Sequence, residues 1–195
     1  MIATGNRTSA VGALRPGGVV LRSARAADEC FLFDLYASTR ADVAVLDWST
    51  EQKAGFLAMQ HRAQDTHYRS HFPEAQFDII ELDGEAAGRL YVHRSEGEIR
   101  ILDIALLPRH TGQGIGTTLL RALQAEAEAT RKALVLHVEQ YNPARQLYLR
   151  LGFVPVAEQG VHIRMQWAAG GHGLGESSGR TSAVAGTTRQ LNTAS

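Results

Sequence analysis

Glycines stand at 112, 114 and 116 within Arg109-His110-Thr111-Gly112-Gln113-Gly114-Ile115-Gly116, between the apolar run 101–107 and the helical-period stretch 117–130. Three missing side chains let backbone N–H groups approach an anion, and a helix opening here directs the positive end of its dipole at the same place. Two readings fit, a phosphate cradle and a tight strand-to-helix turn needing positive φ, and the neighbouring residues decide between them. A Walker-type loop needs Gly-Lys-Ser/Thr after its spacers, and a dinucleotide fingerprint needs glycine where Thr117 stands. Both patterns fail, which counts against ATP and NAD chemistry.

The loop resembles the coenzyme A loop of the GNAT superfamily of N-acetyltransferases, Arg/Gln-x-x-Gly-x-Gly/Ala after a strand. Gly114 and Gly116 match its glycines, and Thr111 takes the place of its Arg or Gln. A second stretch, Asn142-Pro143-Ala144-Arg145-Gln146-Leu147-Tyr148-Leu149-Arg150-Leu151-Gly152-Phe153, is similar to the family's Asn-x-x-Ala-x-x-Leu-Tyr-x-x-x-Gly-Phe segment. The two motifs stand in the family's order with a strand between them, and the resemblance spans 19–167.

The resemblance implies acyl transfer from acetyl-CoA to a primary amine. The pyrophosphate is expected over Thr111, Gly112, Gln113, Gly114, Ile115 and Gly116. The pantetheine arm is expected between two splayed parallel strands, paired with the backbone of Ile104, Ala105 and Leu106, where an N–H near Leu106 polarises the thioester carbonyl. Tyr148 matches the family's tyrosine that protonates the departing sulfur, and Asn142 the residue that contacts the coenzyme. On residue type alone, Asn142 is equally a helix N-cap before Pro143. A phenol near pKa 10 giving its proton to a thiolate near 8.5 is uphill by about 1.5 units, roughly 2 kcal/mol.

The base is left open among Glu98, Asp103, Glu139 and ordered water, with His137 also near the end of the facing strand. Period-two alternation sets Glu98 and Asp103 on opposite faces. The acceptor is likewise open, as a small-molecule or peptide amine. Tyr36, Trp48, Gln60, Gln64 and Tyr68 are candidates for its wall, which the resemblance assigns to the first two helices. An alternative from another class is a coenzyme-A-binding sensor or assembly module with little transferase activity.

The elements that must position these residues are read from periodicity. A strand at Val19–Ser23 precedes a helix capped by Asp28, with Phe31, Leu32, Leu35 and Tyr36 on its inner face and Cys30 packed beside it. Ser49 and Gln52 form a capping box for a second helix carrying Phe56, Met59, Ala63 and His67 along one side and ending before Pro73. Strands 77–82 and 86–93 flank Asp83-Gly84-Glu85, and a third, 98–107, follows Ser95-Glu96-Gly97. Leu119, Leu120, Leu123 and Ala127 are the buried face of a crossover helix, which makes the next strand, 133–138, parallel to the last. A short helix from Pro143 to Leu151 stops at Gly152, and 153–158 with 161–167 close a terminal hairpin. The expected fold is α/β (α+β): a mixed, mostly antiparallel sheet with a splayed parallel pair, flanked by about four helices.

Twenty basic residues balance twenty acidic ones among 195, so net charge makes no case for nucleic acid or an anionic membrane as a partner. Cys30 is the only cysteine, excluding an internal disulfide and a cysteine-based zinc cluster. His61, His67, His71 and His93 fit no compact zinc spacing, and no metal is expected. No apolar run reaches the length of a membrane span, and the start lacks the apolar centre of a secretion signal, so the expected location is cytoplasmic. The domain is expected at 19–167, with a loose leader at 1–18 and a Gly/Ser/Thr-rich tail at 168–195; both monomer and homodimer stand open.

Overall fold

The structure, a computed structural model, describes residues 18–170. The expected leader and tail lie outside the described residues, apart from Gly18 and 168–170. The described residues form β1 (Val19–Ser23), α1 (Glu29–Ser38), α2 (Ala41–Ala44), α3 (Thr50–His71), β2 (Gln76–Leu82), β3 (Glu85–Arg94), β4 (Glu98–Leu106), α4 (Ile115–Thr130), β5 (Ala133–Glu139), α5 (Ala144–Arg150), β6 (Val154–Gln159) and β7 (His162–Trp167). The strands make one seven-stranded sheet in the order β1-β2-β3-β4-β5-β7-β6. Only β4 and β5 pair in parallel. The fifth helix, absent from the expectation, is the single turn α2, too short to leave a periodic signal.

Local chemistry sets the turns. Asp83 and Gly84 both have positive φ, 52° and 86°, so the β2–β3 hairpin needs only these two residues. Glu85, expected in the turn, pairs with Leu82 instead. In β4 the register against β3 slips: Tyr91 faces Asp103 and Val92 faces Ile101, leaving Leu102 as a bulge. The parallel ladder to β5 runs from Glu98↔Ala133 to Ile101↔Leu136 and ends at the same place. Bulge and splay therefore coincide.

The bulge overturns the face assignment made from strict alternation. Ile99, Ile101, Ile104 and Leu106 join Leu119, Leu120 and Leu123 of α4 in the main core. Leu102 turns the other way, into a smaller cluster with Tyr91 and with Tyr68 of α3, against which Phe72 packs. Arg100 lies over the Phe72 ring and holds Glu98, and Asp103 sits opposite Tyr91. Glu98 and Asp103 thus share the α3 face, because the extra residue restores the parity that five positions would have reversed. On the other side, each fully buried leucine of α4 contributes about 1.5–3 kcal/mol of transfer free energy to holding the crossover helix on the sheet.

Three helix details differ from expectation. The α3 capping box forms as read, Ser49 accepting from the Gln52 N–H and the Gln52 side chain from the Ser49 N–H. Its buried side is His61 and Tyr68, however, while Met59 is 54% exposed and Ala63 is exposed. Polar partners on the sheet rotate the helix: Gln64 accepts from Arg89 at 2.9 Å and Tyr68 donates to the Leu102 carbonyl at 3.2 Å. Asp28 precedes α1 but does not cap it, since its carboxylate accepts from Arg22 and from the Arg25 N–H. Cys30 is exposed rather than packed.

Candidate active site

The glycine loop is fixed by its own polar side chains. Pro108–His110 forms a single 3-10 turn after β4; the Thr111 hydroxyl donates to the Pro108 carbonyl at 2.8 Å and the Gln113 amide to the Arg109 carbonyl at 2.8 Å. Gly112 and Gly114 sit at φ 72° and 80°, and Gly114 is the residue from which α4 springs, so the helix starts at Ile115, ahead of the expected 117. Gly116 has no positive φ. A Cβ there would meet only Leu147 Cδ2, at 3.9 Å, and would project into open space. Its glycine is not demanded by backbone strain, and it leaves room beside the first turn of a 16-residue helix.

That room belongs to a cavity of about 330 Å³ between the loop, α4, α5 and the splayed part of β4. Of the expected site residues, Ile104, Leu106, Thr111, Gly112, Gly114, Ile115, Gly116 and Tyr148 line it. Ala105, Gln113 and Asn142 do not: Ala105 alternates away, Gln113 is tied back to the loop, and Asn142 Oδ1 accepts from the Ala144 N–H at 2.8 Å. Asn142 stands two residues before Ala144, one fewer than in the segment it resembles, and here serves the start of α5. Beyond the bulge, β4 pairs with β3 alone and the end of β5 with β7 alone. Their facing backbone edges are not consumed by a ladder, as pairing with an extended amide-bearing chain requires.

Sequence reasoning missed His110, Thr117 and Leu120 on one wall and Pro143, Ala144, Gln146, Leu147 and Arg150 on the other. Ala144, Leu147 and Tyr148 are the i, i+3, i+4 stripe of α5, so helical periodicity counted from Tyr148 would have found them. Arg150 brings a guanidinium to the cavity wall, and His110, Thr117 and Gln146 add polar side chains there; no pattern in the sequence marks them. The wall meant to select an acceptor is largely internal. Arg40 donates to Tyr36 and Gln60, Gln64 holds Arg89, and Tyr68 is buried. Trp48, 42% exposed and edge-on to Phe56, keeps an open face.

Electrostatics separates the titratable groups. Tyr148 is 1% exposed, edge-on to Phe153, and has no hydrogen-bond partner among the described residues. Burial, then the Asp103 charge, pushes its phenol well above the ordinary range. Asp103 is 1% exposed and accepts from Arg89 at 2.5 Å; burial pushes its carboxyl up and the guanidinium opposes it. Against the desolvation of burial, Arg100 and Arg164 hold Glu98 below the usual carboxylate range. Glu139 is half-exposed, 4.0 Å from His162. Two of the three carboxylates proposed as bases are therefore committed to arginines.

A helix start at a glycine loop, a cavity beside it and an unladdered edge of β4 on the cavity wall lie together in this fold. The chain belongs to the acetyltransferase (GNAT) family, whose sequence pattern matches residues 42–153. It is 35% identical over 86 residues to a Bacillus subtilis (strain 168) protein described as a ribosomal protein bS18-alanine N-acetyltransferase. That match covers 43% of this chain and 56% of the relative, a little over half the relative's length. The fold is that of the PaiA N-acetyltransferase from Thermoplasma acidophilum, solved with coenzyme A (TM-score 0.57, 18% identity, 77% of this chain and 98% of that one). It is equally that of the ribosomal-protein-S18-alanine N-acetyltransferase from Escherichia coli (TM-score 0.55, 18% identity, 82% and 99%).

Proposed function

We propose that this chain is an N-acetyltransferase that moves an acetyl group from acetyl-CoA to the α-amine of a polypeptide by direct attack. The observation that carries the reading is that the β4 bulge and the end of the β4–β5 ladder fall together, and that Ile104 and Leu106, just past them on the unladdered edge of β4, line the same cavity as the glycine loop and Tyr148. Acetyl-CoA supplies an acetyl group activated as a thioester. Loop and α4 N–H groups, with His110 and Arg150, bind its phosphates; the free edge of β4 at Ile104 and Leu106 aligns its amides. The polypeptide acceptor is supported by the bS18-alanine N-acetyltransferase relative.

Tyr148 is the proposed proton donor to the departing sulfur. Its raised pKa makes it a weaker acid than a free phenol, yet a thiolate formed in the same buried cavity is destabilised by the same loss of water. The match between donor and acceptor, which decides transfer, is therefore preserved. The test is thiol release from acetyl-CoA with peptide amides of varied first residue and a panel of small amines. Acceptor-dependent release, with peptides preferred, supports the reading. Tight acetyl-CoA binding with no transfer to any amine overturns it in favour of a coenzyme sensor.

A further inference from the structure

Acylation of an amine also releases a proton from nitrogen, and the groups assigned above give it nowhere to go. The last rung of the β4–β5 ladder is Ile101↔Leu136, so His137 is the first β5 residue beyond it. Leu136 and Val138 enter the main core with α4, both 0% exposed. Alternation sends the intervening His137 through to the opposite face, the one on which α3 lies. Its side chain is half-buried there and makes no hydrogen bond or ion pair among the described residues.

The charged groups that act on it electrostatically come from two strands. Arg100 and Glu98 face it from β4, Arg164 and His162 from β7. Glu98 binds both arginines, at 2.6 and 2.8 Å, which leaves neither that carboxylate nor those cations free to manage a substrate proton. Asp103 is held by Arg89. Glu139, two residues further along β5 on the same face, lies about 6–7 Å beyond His137 from the end of the ladder. His137 is the uncommitted proton acceptor nearest the gap.

Resting on the acyl-transfer reading, we infer that His137 takes the acceptor's amine proton on the face of the sheet opposite the coenzyme cavity. The N–C bond forms as the thioester C–S bond breaks; the Tyr148 proton goes to sulfur and the nitrogen proton to the imidazole. Water then receives the proton from the exposed side of His137 and returns one to the Tyr148 phenolate. The net change is amine plus acetyl thioester to amide plus thiol. Burial, with Arg100 and Arg164, holds the His137 imidazolium pKa at about 4, so the ring is neutral and ready to accept at working pH. An amine nitrogen bonding to a carbonyl carbon is far more acidic than a free ammonium, and a weakly basic ring that passes the proton straight to water suffices.

The test compares wild type, His137→Gln, His137→Ala and Tyr148→Phe, using acetyl-CoA and an alanine-initiated peptide amide, with calorimetric acetyl-CoA affinity and thermal melts for each. Both His137 variants should lose about 100-fold or more in kcat with acetyl-CoA Kd within about twofold of wild type, and added imidazole should restore His137→Ala at least about 10-fold. Rescue should be absent in His137→Gln, whose amide fills the space, and in Tyr148→Phe. Turnover within about threefold of wild type in the Gln variant, or imidazole without effect on the Ala variant, overturns the assignment. In that case a wild type that still transfers acetyl leaves the acyltransferase reading standing, whereas a wild type that transfers to no amine removes both.

Discussion

Tyr148→Phe removes one oxygen from a side chain that is 1% exposed and has no hydrogen-bond partner among the described residues. No partner is orphaned, ring volume is kept, and the edge-on contact with Phe153 at 5.8 Å survives. Stability should change by less than about 1 kcal/mol, a shift of no more than about 2–4 °C in Tm. Acetyl-CoA affinity should hold within about twofold, because the proposed phosphate and pantetheine contacts lie elsewhere on the cavity wall. Turnover should fall about 10²–10⁴-fold, or about 2.7–5.4 kcal/mol of transition-state stabilisation. The assay is thiol release under saturating acetyl-CoA, with calorimetry and a thermal melt on the same preparation. A folded, coenzyme-binding Phe variant with turnover within about threefold of wild type would refute Tyr148 as the acid.

Gly116→Ala should raise helix stability by about 0.5–1 kcal/mol, since its Cβ has room, yet weaken acetyl-CoA binding by standing in the proposed phosphate site; calorimetry and melting should move in opposite directions, and unchanged affinity would refute that site. Arg89→Met strips the buried Asp103 of its counter-ion and should cost about 3–5 kcal/mol, lowering Tm by about 10 °C; a change under about 2 °C would count against a charged pair. His137, with its pKa lowered to about 4, binds no proton in the fold between roughly pH 4 and 6.5 while the unfolded chain does, so stability should rise with pH across that window. Urea midpoints across pH 4–7 should show that rise in wild type and a smaller one in His137→Gln; parallel curves would refute the depressed pKa.

Much of the frame was legible in the sequence because it is locally encoded. The Ser49–Gln52 capping box, the Asp83-Gly84 turn, the leucine stripe of α4 and the loop glycines each act over a few residues, and the structure keeps all of them. The parallel relation of β4 and β5 also followed from chain order, since a single helix joins them. Faces and partners were another matter. Alternation separated Glu98 from Asp103, but the bulge at Leu102 forms only because β3 and β4 pair out of step, a long-range fact that no count along β4 contains. Apolar periodicity put the wrong side of α3 inside, because Arg89 and Leu102, distant in sequence, recruit Gln64 and Tyr68.

The sequence by itself carried the class of chemistry through two motifs that resemble those of the acetyltransferase (GNAT) family, the loop holding Gly114 and Gly116 and the segment from Asn142 to Phe153. Tertiary structure decided which titratable groups are available to it. Glu98 and Asp103 stand as candidate bases along the chain, and folding gives each an arginine from another strand, at 2.8 and 2.5 Å. His137 reads as an ordinary strand residue, and its side chain is left without a hydrogen bond among the described residues where the ladder ends. The reason is physical: residue type and spacing set what a side chain can do, whereas its neighbours in the folded sheet set its charge, its exposure and whether its proton is already spoken for.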